Sequence, residues 1–412
     1  MMHHINLHTT LRTIAASTLL GLTLASTAQA ATEYVAIGPN GENLTVQSLG
    51  SDSVAISANG SKVFFYGATS VQSGSGQTQS YMLIGRNRQT QTSTRLDTTI
   101  DASNIGFDSS MLIGGVSGDG RSLLFRSSNP KLVPNDTNNS TDLFVSDLQS
   151  GTIRRVNLTD SGAQSDSSAI ISSHISADAR YVAFVSSAKN LLQGASSTGS
   201  EPYFTFVRDL QSGTIKVLNP FSTGAYQPKQ FVFGLPNVQL SGDGRFVAFQ
   251  AFATQNTGGF FVADQLAGTY SAIPEAAWPL GTWSLAANGR YLALKAALNE
   301  TTPAIKIFDR QSQAIETITD ATNAPAQTTP LSISANGRYL TYVDQKNNAI
   351  VYDRQTKERA NLRGLGAPEA TGFGNVAISG DGRHIMVKEV ALANPLFQED
   401  GFCSIYNPYV SQ

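Results

Sequence analysis

Cysteine is almost absent from this chain: Cys403 stands alone, so no internal disulfide and no zinc site built on cysteine pairs is available. Its place in the run Phe402 to Tyr406 reads as a buried apolar residue of a strand rather than a reactive thiol. Charged residues make up only 14% of the sequence, and no excess of Lys and Arg exists to neutralise phosphates, which excludes nucleic acid as a partner. No heptad pattern of helices is present either, while Gly, Ser and Thr are abundant, as in all-β proteins. Catalytic signatures are missing as well. There is no Gly-x-Ser-x-Gly elbow, no His-Glu-x-x-His and no phosphate-cradling glycine loop.

One stretch is present seven times. Its fullest form is Ser241-Gly-Asp-Gly-Arg-Phe-Val-Ala-Phe249, and the others start at Ser57, Ser117, Ser176, Ala286, Ser334 and Ser379. Counted at the turn glycine, which is Ala179 in the third copy, the spacings are 60, 59, 65, 45, 48 and 45 residues. A period of this size marks a propeller or a solenoid. Each copy reads as a short alternating strand, a tight Asx-Gly turn and a β-branched or aromatic second strand. Ala179 implies a strained turn or a turn of another type. A third strand follows, ending in an acidic turn as at Asp147, Asp209, Asp264, Asp309 and Asp353, and a fourth closes the unit, as at Thr152 to Val156. Four antiparallel strands per repeat make a propeller blade, and one blade cannot bury both faces alone.

The hairpin Ser-x-Asp-Gly-Arg-aromatic-Val-Ala-Phe, followed by a strand ending Asp-Leu-Gln-Ser-Gly, resembles the repeats of the TolB-like β-propeller family. The resemblance covers nearly all of residues 31–412. It implies an exported propeller, and it differs from TolB itself in having no room for an N-terminal α/β domain before the first repeat.

Residues 1–30 read as a secretory signal peptide: Arg12, the apolar stretch Ile14 to Leu24, and the cleavage site Ala28-Gln29-Ala30. The apolar stretch is shorter than the ~20 residues of a membrane span and is broken by Ser17, Thr18 and Thr23, so no span is expected. Loss of Arg12 leaves 27 basic and 30 acidic residues. The mature protein, residues 31–412, is expected as a single all-β propeller domain, monomeric, in the periplasm or secreted. Seven blades are predicted, six or eight being left open by the closure. The seventh repeat runs out after Phe402 to Tyr406, so Asn43 to Ser48 is predicted to supply its missing outer strand; Tyr34 to Ile37 is strand-like but has no place in that scheme.

Strand order puts the tight turns on one face and the variable loops on the other, and the loop face is the expected binding surface. Its candidates are Asp136, Asp166, Lys189, Tyr226, Lys229, Phe231 and Trp278. The arginine after each turn recurs and reads as a structural group. His174 differs, because it replaces small residues on the innermost strand beside the channel, which makes it a candidate acid, base or metal ligand. Asp136, Asn138 and Asp142 place oxygen ligands at alternating positions, a weak calcium candidate without the central glycine and distal Glu of a calcium loop. The function expected from these residues is a non-catalytic exported propeller presenting its loop face to a protein or glycan of the cell envelope, with no cofactor. The alternative is a lyase or hydrolase on polysaccharide or peptide, working through His174.

Overall fold

A computed structural model describes residues 31–47, 54–73, 76–96, 112–167, 169–192, 203–220, 237–252, 258–274, 282–295, 304–319, 325, 331–362, 371–391 and 400–407. Among them are 29 strands and no α-helix. All seven hairpins form, and five of the repeats are four-stranded antiparallel sheets, for example Ile170–Ile175, Tyr181–Ser186, Phe204–Asp209 and Ile215–Val217 in that order.

The first and last hairpins behave differently. Both belong to one nine-stranded sheet, so the structure shows six blades by sheet count where the turn spacing predicts seven. Strand Thr45–Gln47 causes the merger: it pairs with the last repeat at Val46↔Gly401 and with the first at Val46↔Gly67. The predicted closure is found in part: Thr45–Gln47, within Asn43 to Ser48, pairs with the third strand of the seventh repeat at Val46↔Gly401 and Gln47↔Asp400, and Ala31–Tyr34 pairs further along the same strand, from Ala31↔Asn407 to Tyr34↔Ser404. After Tyr34 the chain turns back through Gly38 to Glu42, and Leu44 becomes buried against Gly67, where a β-carbon would lie 2.6 Å from the Leu44 Cδ1. The segment after the first hairpin, counted by sequence among the variable loops, is mostly ladder, since Lys62–Ser73 and Gly76–Asn87 pair along their full length.

The turn motif explains its own composition. In six copies the serine hydroxyl, such as Ser241 Oγ, donates to the Asx carboxylate or amide oxygen two residues on, and in the aspartate copies and at Asn336 and Asn59 that oxygen also takes a backbone N–H of the turn. The same serine oxygen accepts the N–H that opens the second strand, as from Phe246. The serine hydroxyl and the Asx oxygen are thereby bonded within the turn, and the glycine at positive φ, +69° at Gly244, closes it.

The second residue of each turn, always Ala or Gly, links neighbours. Backbone bonds run Ala58 N to Gly118 O, Gly118 N to Ala177 O, Ala177 N to Gly242 O and Gly242 N to Ala287 O. They continue Asn288 N to Ala335 O, Ala335 N to Gly380 O and Asp381 N to Ala58 O, which closes a ring of seven turns. A larger side chain would not fit: a β-carbon on Gly380 would already stand 3.1 Å from the Ala58 Cβ. Between repeats lie the apolar clusters, with Phe125, Phe144, Phe184, Phe206, Phe249 and Phe308 fully buried.

Candidate binding cleft

His174 does not stand apart. Its Nδ1 accepts the Leu240 N–H of the next repeat at 3.3 Å. One repeat on, Gln239 Oε1 accepts the Leu285 N–H at 2.8 Å, and later Ser332 Oγ accepts the Ile378 N–H at 3.3 Å. Three different side chains at equivalent positions thus make one bond, tying the innermost strand of each repeat to the next. Crowding by the surrounding strands pushes the His174 pKa down to about 4, so the ring is neutral at pH 7.

The calcium candidates gather around a guanidinium. Arg155 Nη2 lies 2.6 Å from Asp136 Oδ2, and its Nε lies 3.4 Å from Asp142 Oδ2. Asn138 and Asn157 donate to Asp142 Oδ1 at 3.2 and 2.6 Å. Burial raises the Asp142 pKa, with the amide donors and Arg155 opposing it. The positive charge of this loop is therefore Arg155, and among the described residues no group of three or more His, Cys, Asp or Glu side chains gathers for a metal.

Asp166 and Lys189 are brought together, but through backbone: Asp166 accepts the Lys189 and Asn190 N–H groups at 2.9 and 3.2 Å. Tyr226, Lys229, Phe231 and Trp278 lie outside the described residues. The loop face is thus described only in part.

The recurring arginines pair with the acidic end of the third strand. Arg121 meets Asp147, Arg180 meets Asp209, Arg245 meets Asp264, Arg290 meets Asp309 and Arg338 meets Asp353, each at 2.7 to 2.8 Å. Four of these arginines also lie over the aromatic residue that follows them, 4.8 to 4.9 Å from the ring. The arginine's hydrogen bond is the main cause holding Asp209, Asp264 and Asp309 below the usual carboxylate range. That aromatic side chain packs on the turn glycine of the next repeat: Tyr181 on Gly244, Phe246 on Gly289, Tyr291 on Gly337, Tyr339 on Gly382. Ala179 now has its explanation. The equivalent residue of the preceding repeat is Ser122, and without an aromatic ring there the alanine methyl fits, in the same turn at φ 58°.

The residue after the acidic one completes the junction. Arg310 donates to the Gly289 carbonyl and lies 3.6 Å from the Phe246 ring; Arg354 donates to the Gly337 carbonyl and lies 4.4 Å from the Tyr291 ring. Glu316, on the outer strand of the fifth repeat, holds Arg354 at 2.7 Å. Glu33 holds Arg88 in the same way at 2.8 Å, across the junction of last and first repeats. Between the third and fourth repeats the equivalents are Lys216 and Gln265. Gln265 still reaches the Gly244 carbonyl, but it is too short to cover Tyr181 as well. A cleft of about 510 Å³ opens there, lined among others by Tyr181, Asp209, Lys216, Asp243, Gln265 and Leu266. It lies on the tight-turn face, opposite the face expected from the loops. Leu266 at its rim is 80% exposed.

No model of a protein family matches the chain, and no curated protein is similar to it in sequence. Solved structures do share the fold. An oligogalacturonate lyase from Vibrio parahaemolyticus is 11% identical, with 92% of this chain and 97% of that one covered and a TM-score of 0.55. An oligogalacturonate lyase in complex with manganese is 12% identical, with 93% and 94% covered and a TM-score of 0.56. The β-propeller domain of the Trilobed protease from Pyrococcus furiosus is 10% identical, with 90% and 100% covered and a TM-score of 0.55. At such identities the likeness shows a β-propeller and no more.

Proposed function

We propose that this protein is an exported binding or scaffold propeller of the TolB-like kind that presents a face to a protein or glycan of the cell envelope. The observation that carries the reading is the commitment of His174, the histidine beside the channel, to a bond that Gln239 and Ser332 also make. A group doing the same work as a glutamine and a serine is a joint between repeats. Export is part of this proposal and rests on the signal peptide read in residues 1–30, with its Ala28-Gln29-Ala30 site. A seven-bladed ring remains part of this reading, supported by the two hairpins and both ends of the ring of turns that the nine-stranded sheet carries. A monomer is expected because the ring closes on itself. Calcium-dependent adhesion fits less well, since the Arg155 guanidinium already lies against Asp136 and Asp142.

A second reading, a lyase on polysaccharide, draws on the likeness to two oligogalacturonate lyases. One experiment separates them: the mature chain is incubated with envelope glycans and with polyuronides, while retention and the absorbance of unsaturated products are followed. Retention without product formation is expected. Product formation that disappears in His174→Gln would overturn the binding reading in favour of the lyase.

A further inference from the structure

The cleft between the third and fourth repeats is a place where a junction lacks the parts used elsewhere. At the next two junctions a second guanidinium covers the ring, Arg310 over Phe246 and Arg354 over Tyr291. Here Tyr181 keeps only Arg180, at 4.8 Å. Where the outer strand carries Glu316 or Glu33 to hold the arginine, it carries Lys216 instead, whose ammonium has no ion pair among the described residues. Both changes point one way, since a lysine beside the cleft repels an arginine and attracts a carboxylate. Besides Arg180 and Asp209, which pair with each other, and Arg245, which pairs with Asp264, the polar lining offers donors and acceptors suited to hydroxyl groups: Gln265, Thr214, and Asp243, whose Oδ1 is taken by Ser241 and Arg245 while its second oxygen makes no bond among the described residues. A volume of about 510 Å³ lies within the ~300–1,000 Å³ of small-molecule sites.

We propose that this cleft binds an acidic saccharide, with the C–H face of one sugar ring on Tyr181, its carboxylate on the Lys216 ammonium, and its hydroxyls shared among Asp243, Gln265 and Thr214. The proposal rests on the binding reading and gives it a ligand class and a site. An aromatic ring matches the apolar face of a pyranose, and the lysine distinguishes a uronate from a neutral sugar.

The test titrates the mature chain with three probes by calorimetry: a polyuronate tetrasaccharide, its carboxyl-reduced counterpart, and tetraglutamate. Binding of the polyuronate at least tenfold tighter than of the other two is expected. Lys216→Gln weakens it at least tenfold. The double change Lys216→Glu with Gln265→Arg rebuilds the Glu–Arg pair of the fifth-to-sixth and last-to-first junctions, so it should abolish binding while Tm stays or rises. Loss of binding by a variant at least as stable cannot come from unfolding. Equal binding of the reduced tetrasaccharide or of tetraglutamate overturns the proposed ligand. Unchanged affinity in the double variant overturns the site, while the general binding reading stands. If no probe binds, the proposal falls, and retention on envelope fractions then decides the general reading separately.

Discussion

Two junctions built from the same repeat differ in how they are finished. Between the fifth and sixth repeats, Glu316 grips Arg354, which caps the Gly337 carbonyl and covers Tyr291. Between the third and fourth, Lys216 and Gln265 occupy the equivalent places, and Tyr181 borders an open cleft. Both keep the backbone bond between turns and the ring packed on the next glycine. The difference teaches that the backbone ring and the packing hold the propeller together, whereas the guanidinium layer above them can be removed and its space given to something else. The junction of last and first repeats is finished like the fifth to sixth, through Glu33 and Arg88, with a strand added.

Removing that strand breaks the comparison most severely. Deletion of residues 31–47 takes away the ladder from Ala31 to Tyr34, about four bonds at a net ~1 kcal/mol each, together with the buried Val35, Ala36 and Leu44. The sum approaches the ~5–15 kcal/mol stability of a domain. Loss of soluble protein is expected, read by expression and size exclusion; a deletion variant melting within a degree or two of the parent would show that the seam is closed by its turns alone. Next in size is Gly244→Ala, which places a methyl 2.2 Å from the Tyr181 Cδ2 at a φ of +69°. We expect a loss of about 2–4 kcal/mol in denaturant unfolding. An effect below ~0.5 kcal/mol would mean that Tyr181 shifts freely into the cleft.

The pH dependence tests the inner joints. The folded pKa of His174, about 4, lies below the ordinary 6.5, so the unfolded chain binds a proton that the folded one resists. Its contribution is present in full above pH 6.5 and is lost as pH falls towards 4. Melting curves across this range should fall less steeply in His174→Gln, which keeps the bond to Leu240 as Gln239 does at the next joint; identical slopes would place the acid sensitivity elsewhere. The smaller effects concern the outer layer and the odd turn. Glu316→Gln should cost about 0.5–1 kcal/mol, as expected for a partly exposed pair. Ala179→Gly should gain about 0.5–1 kcal/mol by relieving the positive φ, read as a small rise in midpoint.

The repeat, its four strands and its turn chemistry were legible because they depend on neighbours in sequence: Ser241 and Asp243 satisfy the turn that contains them. The aspartates that end five of the third strands were also in view, though not that each would hold the turn arginine of its own repeat. The Lys216 and Gln265 exception can be found afterwards by aligning Asp264-Gln265 with Asp309-Arg310 and Asp353-Arg354. What could not be read was that these positions meet across a junction. The bond made by His174 was hidden for the same reason, because its partner, the Leu240 N–H, belongs to another repeat.

The sequence by itself determined the all-β propeller and the place of its turns, since alternation, Asx-Gly turns and a recurring period act over a few residues at a time. Only the tertiary structure decided that Ala31–Tyr34 joins Thr45–Gln47 on the last repeat, that Thr45–Gln47 also fuses the end sheets into one, and that one junction is left open. Those outcomes depend on which of several equally strand-like segments finds an unpaired edge, and on side chains dozens of residues apart sharing one space. Local propensity carries neither.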